Sequence, residues 1–541
     1  MSDVCDYYKR ILLSCLSKRY EETFAPFEEI NFETKYEDAA IGSVIKHLDE
    51  NKRQILRQRG LESIRDGRVA LVILAGGQST RLGKNGNKSL VQITPNGSKT
   101  LLQLHLERVR RVCLNAEMSS LSENANESTD TRNRAEGKVI ETGKDSGTSK
   151  ATRGNEHENG NNSSSDSKRP LVYILTSVFN KNDIQGYLDK NGYFGLDPNL
   201  VVLLEQKNVP CFFMNATQCK HDGESLSEST PKGSMGGNYQ SKLIDSPRSI
   251  FETRRSVFTM QSGEFHMSSD GNPLTVEVLV DSKGLITAPN GNGNIFECLH
   301  NCHSFMKHLE NLDHLHVIAV DNALSRPLDP EFIGLGLHFP FDTLNKCIKK
   351  KENENLGIFC VGKHPCIVEY SELDRITSDS PIRQNDNFYG NICDHLFSGP
   401  FLRRIMDYKA YLEMPYHVAK KAIPYWDGTQ FVYPDSINGY KLELFIFDVM
   451  KFAEKVLCLE VDREDSFAPV KRAYDFDWEN NDNSVQYKMD IIYKKWLKSV
   501  KCNVDGIFCE ISPLLSYSGE GLEEYSGCQL TAPILLDKPS K

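Results

Sequence analysis

The apolar positions of this chain fall into two recurring patterns separated by polar stretches. The first is the short unbroken run. Val69 to Leu74 is rich in Val, Ile and Leu, which predicts a strand buried on both faces with parallel neighbours. Leu171 to Thr176, Val201 to Leu204 and Val317 to Val320 have the same character. The second pattern is helical. Tyr8, Ile11, Leu12 and Cys15 recur at i, i+3, i+4 and i+7, and a second periodic segment runs from Ala40 through Ile55. Residues 1–66 therefore read as a helical N-terminal cap, closed by a turn at Asp66-Gly67, with no chemistry of its own. Thr100 to Cys113 places leucines at helical spacing, with Arg108, Arg110 and Arg111 expected on a solvated basic face. Short β-branched runs alternating with helical segments predict an α/β fold, a mostly parallel central sheet with helices on both faces.

Two polar segments interrupt this alternation. Residues of about 116–168 are Ser, Asn, Glu, Gly and Thr with almost no aromatics, too little apolar surface to order themselves. A similar excursion covers about 215–272. Long surface insertions cost little stability, so the core is expected to continue across both. One domain is thus expected over 67–474. Residues 475–541 read as a small C-terminal domain, with a helix over Val485–Val500 and short strands over Gly506–Leu514 and Cys528–Leu536. It is expected near the ligand site or a subunit interface.

Composition narrows the function classes. At 541 residues the chain is long enough for two or three cores. A net charge of −10 and a pI near 5.9 provide no general attraction to nucleic acid or anionic membrane. No stretch approaches the length of a membrane-spanning run, and Met1–Arg10 lacks the basic start and apolar core of a signal peptide. Fifteen cysteines, odd in number and irregularly spaced, are not a disulfide framework. They read as reduced thiols of a cytoplasmic protein. Cys298 and Cys302, near His300 and His303, are explained by a helical face more cheaply than by a zinc site.

Candidate chemistry concentrates between Leu71 and Lys88, where the strand breaks into Ala75-Gly76-Gly77 and two cations follow, Arg81 and Lys88. Paired glycines let backbone N–H groups approach a ligand, and cations just beyond suit phosphate oxygens. The spacing fits neither the dinucleotide fingerprint nor the P-loop.

In order along the chain, LAGGQSTRLG at Leu74–Gly83, YILTS at Tyr173–Ser177, APNGNG at Ala288–Gly293 and HVIAVDN at His316–Asn322 are followed by DPEFIG at Asp329–Gly334. VEYSEL at Val368–Leu373, GNICDHLF at Gly390–Phe397, HVAKKAIPY at His417–Tyr425, GYKLELFIFD at Gly439–Asp448 and REDSFAPVK at Arg463–Lys471 complete the series. Together these resemble the eukaryotic UDP-N-acetylglucosamine (UDP-N-acetylhexosamine) pyrophosphorylase family, from about residue 66 to 475.

The resemblance implies a nucleotide-diphospho-sugar transferase fold, Rossmann-like. It also implies a uridylyl transfer: UTP and N-acetylglucosamine-1-phosphate give UDP-N-acetylglucosamine and pyrophosphate, with Mg²⁺ or Mn²⁺ and with no nucleic-acid or membrane partner. By resemblance Leu74, Ala75, Gly76 and Gly77 hold the nucleotide, with Gln206, Pro289, Gly291 and Asn292 reading uracil and ribose. Arg81, Lys88 and Lys471 are the catalytic cations, and Asp321 holds the metal or the ribose. Asn391, Lys441, Phe445 and Phe447 form the sugar side. The attacking sugar phosphate is already an anion, so the reaction calls for positioning and charge neutralisation, not a general base. His314 and His316 accordingly read as strand-flanking core histidines. The alternatives are a UDP-glucose or broad UDP-sugar pyrophosphorylase and a UDP-sugar sensor or scaffold without turnover. Four departures stand out: Ser79 for glycine, Asn87-Lys88-Ser89 for Pro-Lys-Gly, Asn290 for aspartate, and Asp394 for asparagine. The last two are near-isosteric exchanges expected to bear on sugar preference.

Overall fold

Every residue of Val69–Leu74 is buried, and its alternate side chains enter different cores. Val69, Leu71 and Ile73 face one layer, while Ala70, Val72 and Leu74 face the other. A strand whose two faces both meet packed layers belongs in the middle of an α/β sandwich. This computed structural model describes residues 2–17, 24–31, 42–46, 48–77, 87–135, 169–213, 277–278, 280–281, 284–352, 354–376, 388–426, 429–470 and 484–537.

The strands used below are β1 (Glu28–Asn31), β2 (Gly42–Lys46), β3 (Val69–Leu74), β4 (Val172–Thr176), β5 (Val201–Glu205), β6 (Asn208–Phe213) and β7 (Thr287–Pro289). They continue with β8 (His314–Ala319), β9 (Thr343–Lys349), β10 (Tyr389–Ser398), β11 (Tyr416–Lys421), β12 (Gly439–Leu444) and β13 (Val456–Glu460). The central sheet runs β1-β2-β13-β9-β10-β8-β3-β4-β5. All neighbours on this path are parallel except at β10, which is antiparallel to both β9 and β8. The mostly parallel sheet expected from the sequence is present, with β10 reversed on this path and antiparallel pairs added beside it by Ala25–Pro26, Ile358–Val361 and Pro365–Val368.

A smaller antiparallel sheet, β7-β6-β12-β11, stands beside it. Helix α1 (Ser2–Ser17) covers that sheet, with Leu12 and Leu13 packed on Val209, Phe212, Tyr440 and Leu442. Among its described residues the N-terminal region is helical at both ends, with short strands between. Helix α2 begins at Glu50, N-capped by Asp49, not near Ala40. The apolar stretch before it, Gly42–Lys46, is strand β2, paired with β13 and β1. Periodicity alone could not separate a five-residue strand with apolar Val44 and Ile45 from one turn of a buried helix.

Helix α3 (Leu101–Ala135) continues well into the polar segment expected to remain unordered. Once a helix is nucleated, each further residue adds a hydrogen bond, so moderate helix formers extend it. Residues 136–168 and 214–276, which hold most of the two polar excursions, lie outside the described residues. The basic face of α3 is not solvated. Arg108 and Arg111 are buried, and Arg108 Nη1 donates to the carbonyls of Ala323 (2.6 Å) and Ser325 (3.0 Å). Burial pushes the Arg108 guanidinium below its ordinary value. These arginines bridge segments: Arg111 Nη1 donates to the Leu514 carbonyl at 3.4 Å.

The C-terminal region has the expected helix, α4 (Val485–Ser499), and the expected strand at Cys509–Ile511. The strand expected over Cys528–Leu536 is divided into Gln529–Thr531 and Ile534–Leu536, and a further strand lies at Asn503–Asp505. They pack with α3 and the Leu71 face of β3 and not with the layer that holds Phe447. Met489, Leu497, Cys509 and Leu515 share a core with α3 and with the Leu71 face of β3. The side chains of Phe447, expected on the sugar side, and its neighbours belong to the opposite layer.

Candidate functional site

The carboxyl ends of parallel strands are where an α/β sheet presents ligand-binding loops. At the end of β3 the Ala75 N–H donates to Leu175 O (2.9 Å), and Ala75 O accepts from Asn180 Nδ2 (2.7 Å). The chain is thereby fixed as it enters Gly76. A Cβ on Gly76 would lie 1.9 Å from Gln206 Nε2 and 3.0 Å from Thr176 O. Only glycine lets the buried Gln206 amide lie against this backbone.

Gln206 is held from two sides. Its N–H donates to Thr176 O (3.0 Å), and its Oε1 accepts from Gly291 N (2.9 Å). Gly291 has φ +97°, and a Cβ there would sit 2.3 Å from Leu444 O. The turn after Pro289, which ends β7, is stitched to the small sheet. Leu444 N donates to Asn290 O (2.7 Å), and Asn292 Oδ1 accepts from Ile446 N (2.9 Å). Leu74, Ala75, Gly76, Gln206, Pro289, Gly291 and Asn292 are therefore brought into one continuous neighbourhood, and Gly77 follows directly. The departure at Asn290 is a buried residue whose carbonyl serves this stitching.

The same turn abuts the residues expected on the sugar side. Phe445 and Phe447 stack with ring centroids 5.1 Å apart, Phe447 buried and Phe445 half-buried. Lys441 lies on the same strand face as Glu443, to which its Nζ donates at 2.7 Å, while Tyr440, Leu442 and Leu444 fill the other face. Asn391 arrives separately. Because β10 is antiparallel to β8, with Val317 opposite His395, it starts at the edge where β8 ends. Asn391 Oδ1 accepts from Cys393 N (2.8 Å), and Asn391 N donates to Gly357 O (2.8 Å), so it does not cap a helix. Nothing ties it to Phe445 directly.

Lys88 opens a single 3₁₀ turn capped by Asn87, whose Oδ1 accepts from Ser89 N at 3.2 Å. This cap aims Lys88 without the proline and glycine that usually flank it. Lys88 Nζ pairs with Asp321 Oδ2 at 2.7 Å, both side chains being about a quarter exposed (22% and 25%). Asp321 follows β8, where Val320 N donates to Leu74 O and Asp321 O accepts from Val470 N (2.8 Å). Arg81 and Lys471 lie outside the described residues. Among the described residues no cluster of three or more His, Cys, Asp or Glu is grouped to hold a metal. A single carboxylate beside a phosphate-type loop nevertheless fits Mg²⁺, which keeps several waters and takes other ligands from substrate phosphates.

Asp394 and two histidines of β8 make their contacts inside the fold. Asp394 is buried below the sheet edge, accepting from His316 Nε2 (2.9 Å) and pairing with Lys346 (3.3 Å). Burial raises its carboxyl, and Lys346 and His316 more than offset this, leaving it below the ordinary value. It acts as an internal counter-ion to Lys346 and His316. His316 and His314 are buried in β8, as expected, and His316 Nδ1 accepts from Leu328 N (3.0 Å).

The sequence reading missed one constellation. His417 is buried between two carboxylates, with Nδ1 donating to Glu372 Oε1 and Nε2 to Asp448 Oδ2, each at 2.8 Å. Its ring lies 4.6 Å from that of Phe445, tilted by 38°. Burial opposes the charge, but Asp448 and Glu372 override it and raise the imidazole to about 10. Glu372, His417 and Asp448 come from three separate motifs, VEYSEL, HVAKKAIPY and GYKLELFIFD. A histidine and two acids within three of the motifs were the available signal.

The chain is similar to several known proteins. The family described as UTP--glucose-1-phosphate uridylyltransferase matches residues 248–496, and a MobA-like NTP transferase domain matches residues 71–146. A human UDP-N-acetylhexosamine pyrophosphorylase-like protein 1 is 29% identical, covering 91% of this chain and 81% of its own length. A UDP-N-acetylglucosamine pyrophosphorylase of Saccharomyces cerevisiae is 26% identical over 86% of this chain and 78% of its own. Among solved structures, a putative UDP-N-acetylglucosamine pyrophosphorylase from Entamoeba histolytica shares the fold with a TM-score of 0.60 at 22% identity. It is covered over 96% of its length by 90% of this chain.

Proposed function

Because the chain is a homologue of the eukaryotic UDP-N-acetylhexosamine and UDP-N-acetylglucosamine pyrophosphorylases, we propose that it transfers a uridylyl group from UTP to N-acetylglucosamine-1-phosphate, releasing pyrophosphate. The observation that carries this is the Gly76–Gln206–Gly291 arrangement, set between the Lys88–Asp321 pair and the Phe445–Phe447 wall. Gln206 Nε2 lies against Gly76 while its Oε1 fixes the Gly291 turn, which supports a planar base held along backbone edges. Lys88 lies beyond the loop that would hold the phosphates, where its charge lowers the repulsion between two polyanions and favours the leaving pyrophosphate. The stacked phenylalanines offer an apolar face to a sugar ring and its acetamido methyl. The phosphate oxygen of the sugar attacks the α-phosphorus in line and the α–β bridging bond breaks, with no proton to remove. Asp321 is the residue that would hold Mg²⁺, which when bound neutralises charge on the phosphates. We place the activity in the cytoplasm; no helix among the described residues is long and apolar enough to cross a membrane.

The match to the UTP--glucose-1-phosphate uridylyltransferase family keeps glucose-1-phosphate as a second acceptor reading. Pyrophosphate release from UTP with each sugar phosphate, with Mg²⁺ and after chelation, separates them. The expected result is Mg²⁺-dependent release preferring the N-acetyl sugar, falling at least ~100-fold in kcat for Lys88→Ala. Preference for glucose-1-phosphate moves the protein to the second reading. Binding of UDP-N-acetylglucosamine without turnover overturns the enzymatic proposal.

A further inference from the structure

Beside the site, a β-hairpin carries a feature that nucleotidyl transfer does not use. Ile358–Val361 pairs antiparallel with Pro365–Val368, and Cys360 stands directly opposite Cys366. Their sulfurs are 3.5 Å apart. Facing residues in an antiparallel ladder have Cα atoms about 4.5–5.5 Å apart. That lies inside the roughly 4.4–6.8 Å span of disulfides, so a bridge needs only side-chain rotation. Cys360 is buried among Phe24, Ile358, Val368 and Phe388, whereas Cys366 is half-buried and open to a small oxidant. The two are thus arranged as an accessible thiol and a shielded partner. Cys347 and Cys458, on the neighbouring parallel strands β9 and β13, are both buried and lack that access.

We propose that Cys360 and Cys366 form a modification site, a dithiol that a peroxide converts to a cross-strand disulfide and that thiol reductants restore. The Cys366 thiolate attacks one peroxide oxygen, and the O–O bond breaks. A sulfenic acid remains on Cys366, and the departing hydroxide takes up a proton to leave as water. The Cys360 sulfur then attacks the sulfenic sulfur, the S–O bond breaks and a second water leaves with the Cys360 proton. Two thiols and one hydrogen peroxide give one disulfide and two waters, the sulfurs losing the electron pair that the peroxide gains. The bridge locks a hairpin bonded at both flanks to the site described above. Gly357 O accepts from Asn391 N before it, and Glu372 accepts from His417 after it.

The test needs no knowledge of the substrate. Full-length protein is treated with hydrogen peroxide, free thiols are blocked with iodoacetamide, and the protein is cut with trypsin. Lys363 lies between the two cysteines, so cleavage yields peptides 352–363 and 364–375 with one cysteine in each. The expected product is these two peptides joined by a disulfide as their main form, separated by dithiothreitol and absent from Cys366→Ser. Both cysteines recovered alkylated, Cys366 recovered as sulfinic acid, or Cys366 joined to any other cysteine overturns the proposal. The wild-type digest decides this even if the serine variant folds poorly.

Discussion

Replacing His417 by glutamine tests whether the constellation behind Phe445 is an ion triad. The ring donates from both nitrogens to Glu372 and Asp448, and it is almost fully buried. The interval between the ordinary 6.5 and about 10 corresponds to roughly 5 kcal/mol, at about 1.4 kcal/mol per pH unit. Burial of Asp448 pushes its carboxyl up, which takes back part of that gain. Removing one member of a buried ion pair generally costs about 3–5 kcal/mol, and ~3 kcal/mol is expected here. The folded-state value lies above the unfolded one, so this stabilisation is complete below about pH 6.5 and fades as the pH rises toward about 10. Urea unfolding of wild type and His417→Gln should therefore differ by ~3 kcal/mol near pH 6 and by about 1 kcal/mol near pH 9.5. Because the ring supports Phe445, KM for the sugar phosphate should rise roughly tenfold while KM for UTP changes less. A stability difference that is flat over this range, or absent at low pH, would refute the triad.

Two further outcomes follow from the same geometry. Gly291→Ala places a methyl group 2.3 Å from Leu444 O at φ +97°, and should cost ~3 kcal/mol in thermal or urea unfolding. It should also raise KM for UTP, because the turn it displaces holds Gln206. Asp394→Asn removes a buried charge facing Lys346 and His316, and should lower stability by about 3–5 kcal/mol. The ratio of kcat/KM for N-acetylglucosamine-1-phosphate to that for glucose-1-phosphate should stay within about twofold, since the Asp394 carboxylate is engaged by Lys346 and His316.

What could be read from sequence followed the strength of the local pattern. β3 was legible because an unbroken Val/Ile run has few alternatives, and the loop after it because glycines and cations are chemically distinctive. β2 was not legible, since its burial comes from β13, more than 400 residues downstream. Arg108 and Arg111 looked like a solvated face because their partners, the Ala323, Ser325 and Leu514 carbonyls, are main-chain groups with no sequence signature. Asp394 appeared as a near-isosteric exchange on the sugar side. Its counter-ions, His316 and Lys346, lie in two other strands. Glu372, His417 and Asp448 were visible one by one but not as a set, because nothing local links acids and a histidine that meet only in three dimensions.

The position of β13 also dictates an order of assembly. As the chain is synthesised, β1 and β2 emerge among the first fifty residues, yet the strand that joins them to the sheet, Val456–Glu460, is among the last made. Until then β2 has a bare edge, and β9 lacks its outer neighbour. The half of the sheet around β3, β4 and β5 can close early, from strands much nearer in sequence. The ribosome thus releases a molecule whose nucleotide-side core is old and whose far edge is new. The interval between the two is when an unpaired strand edge is open to a chaperone or to another nascent chain.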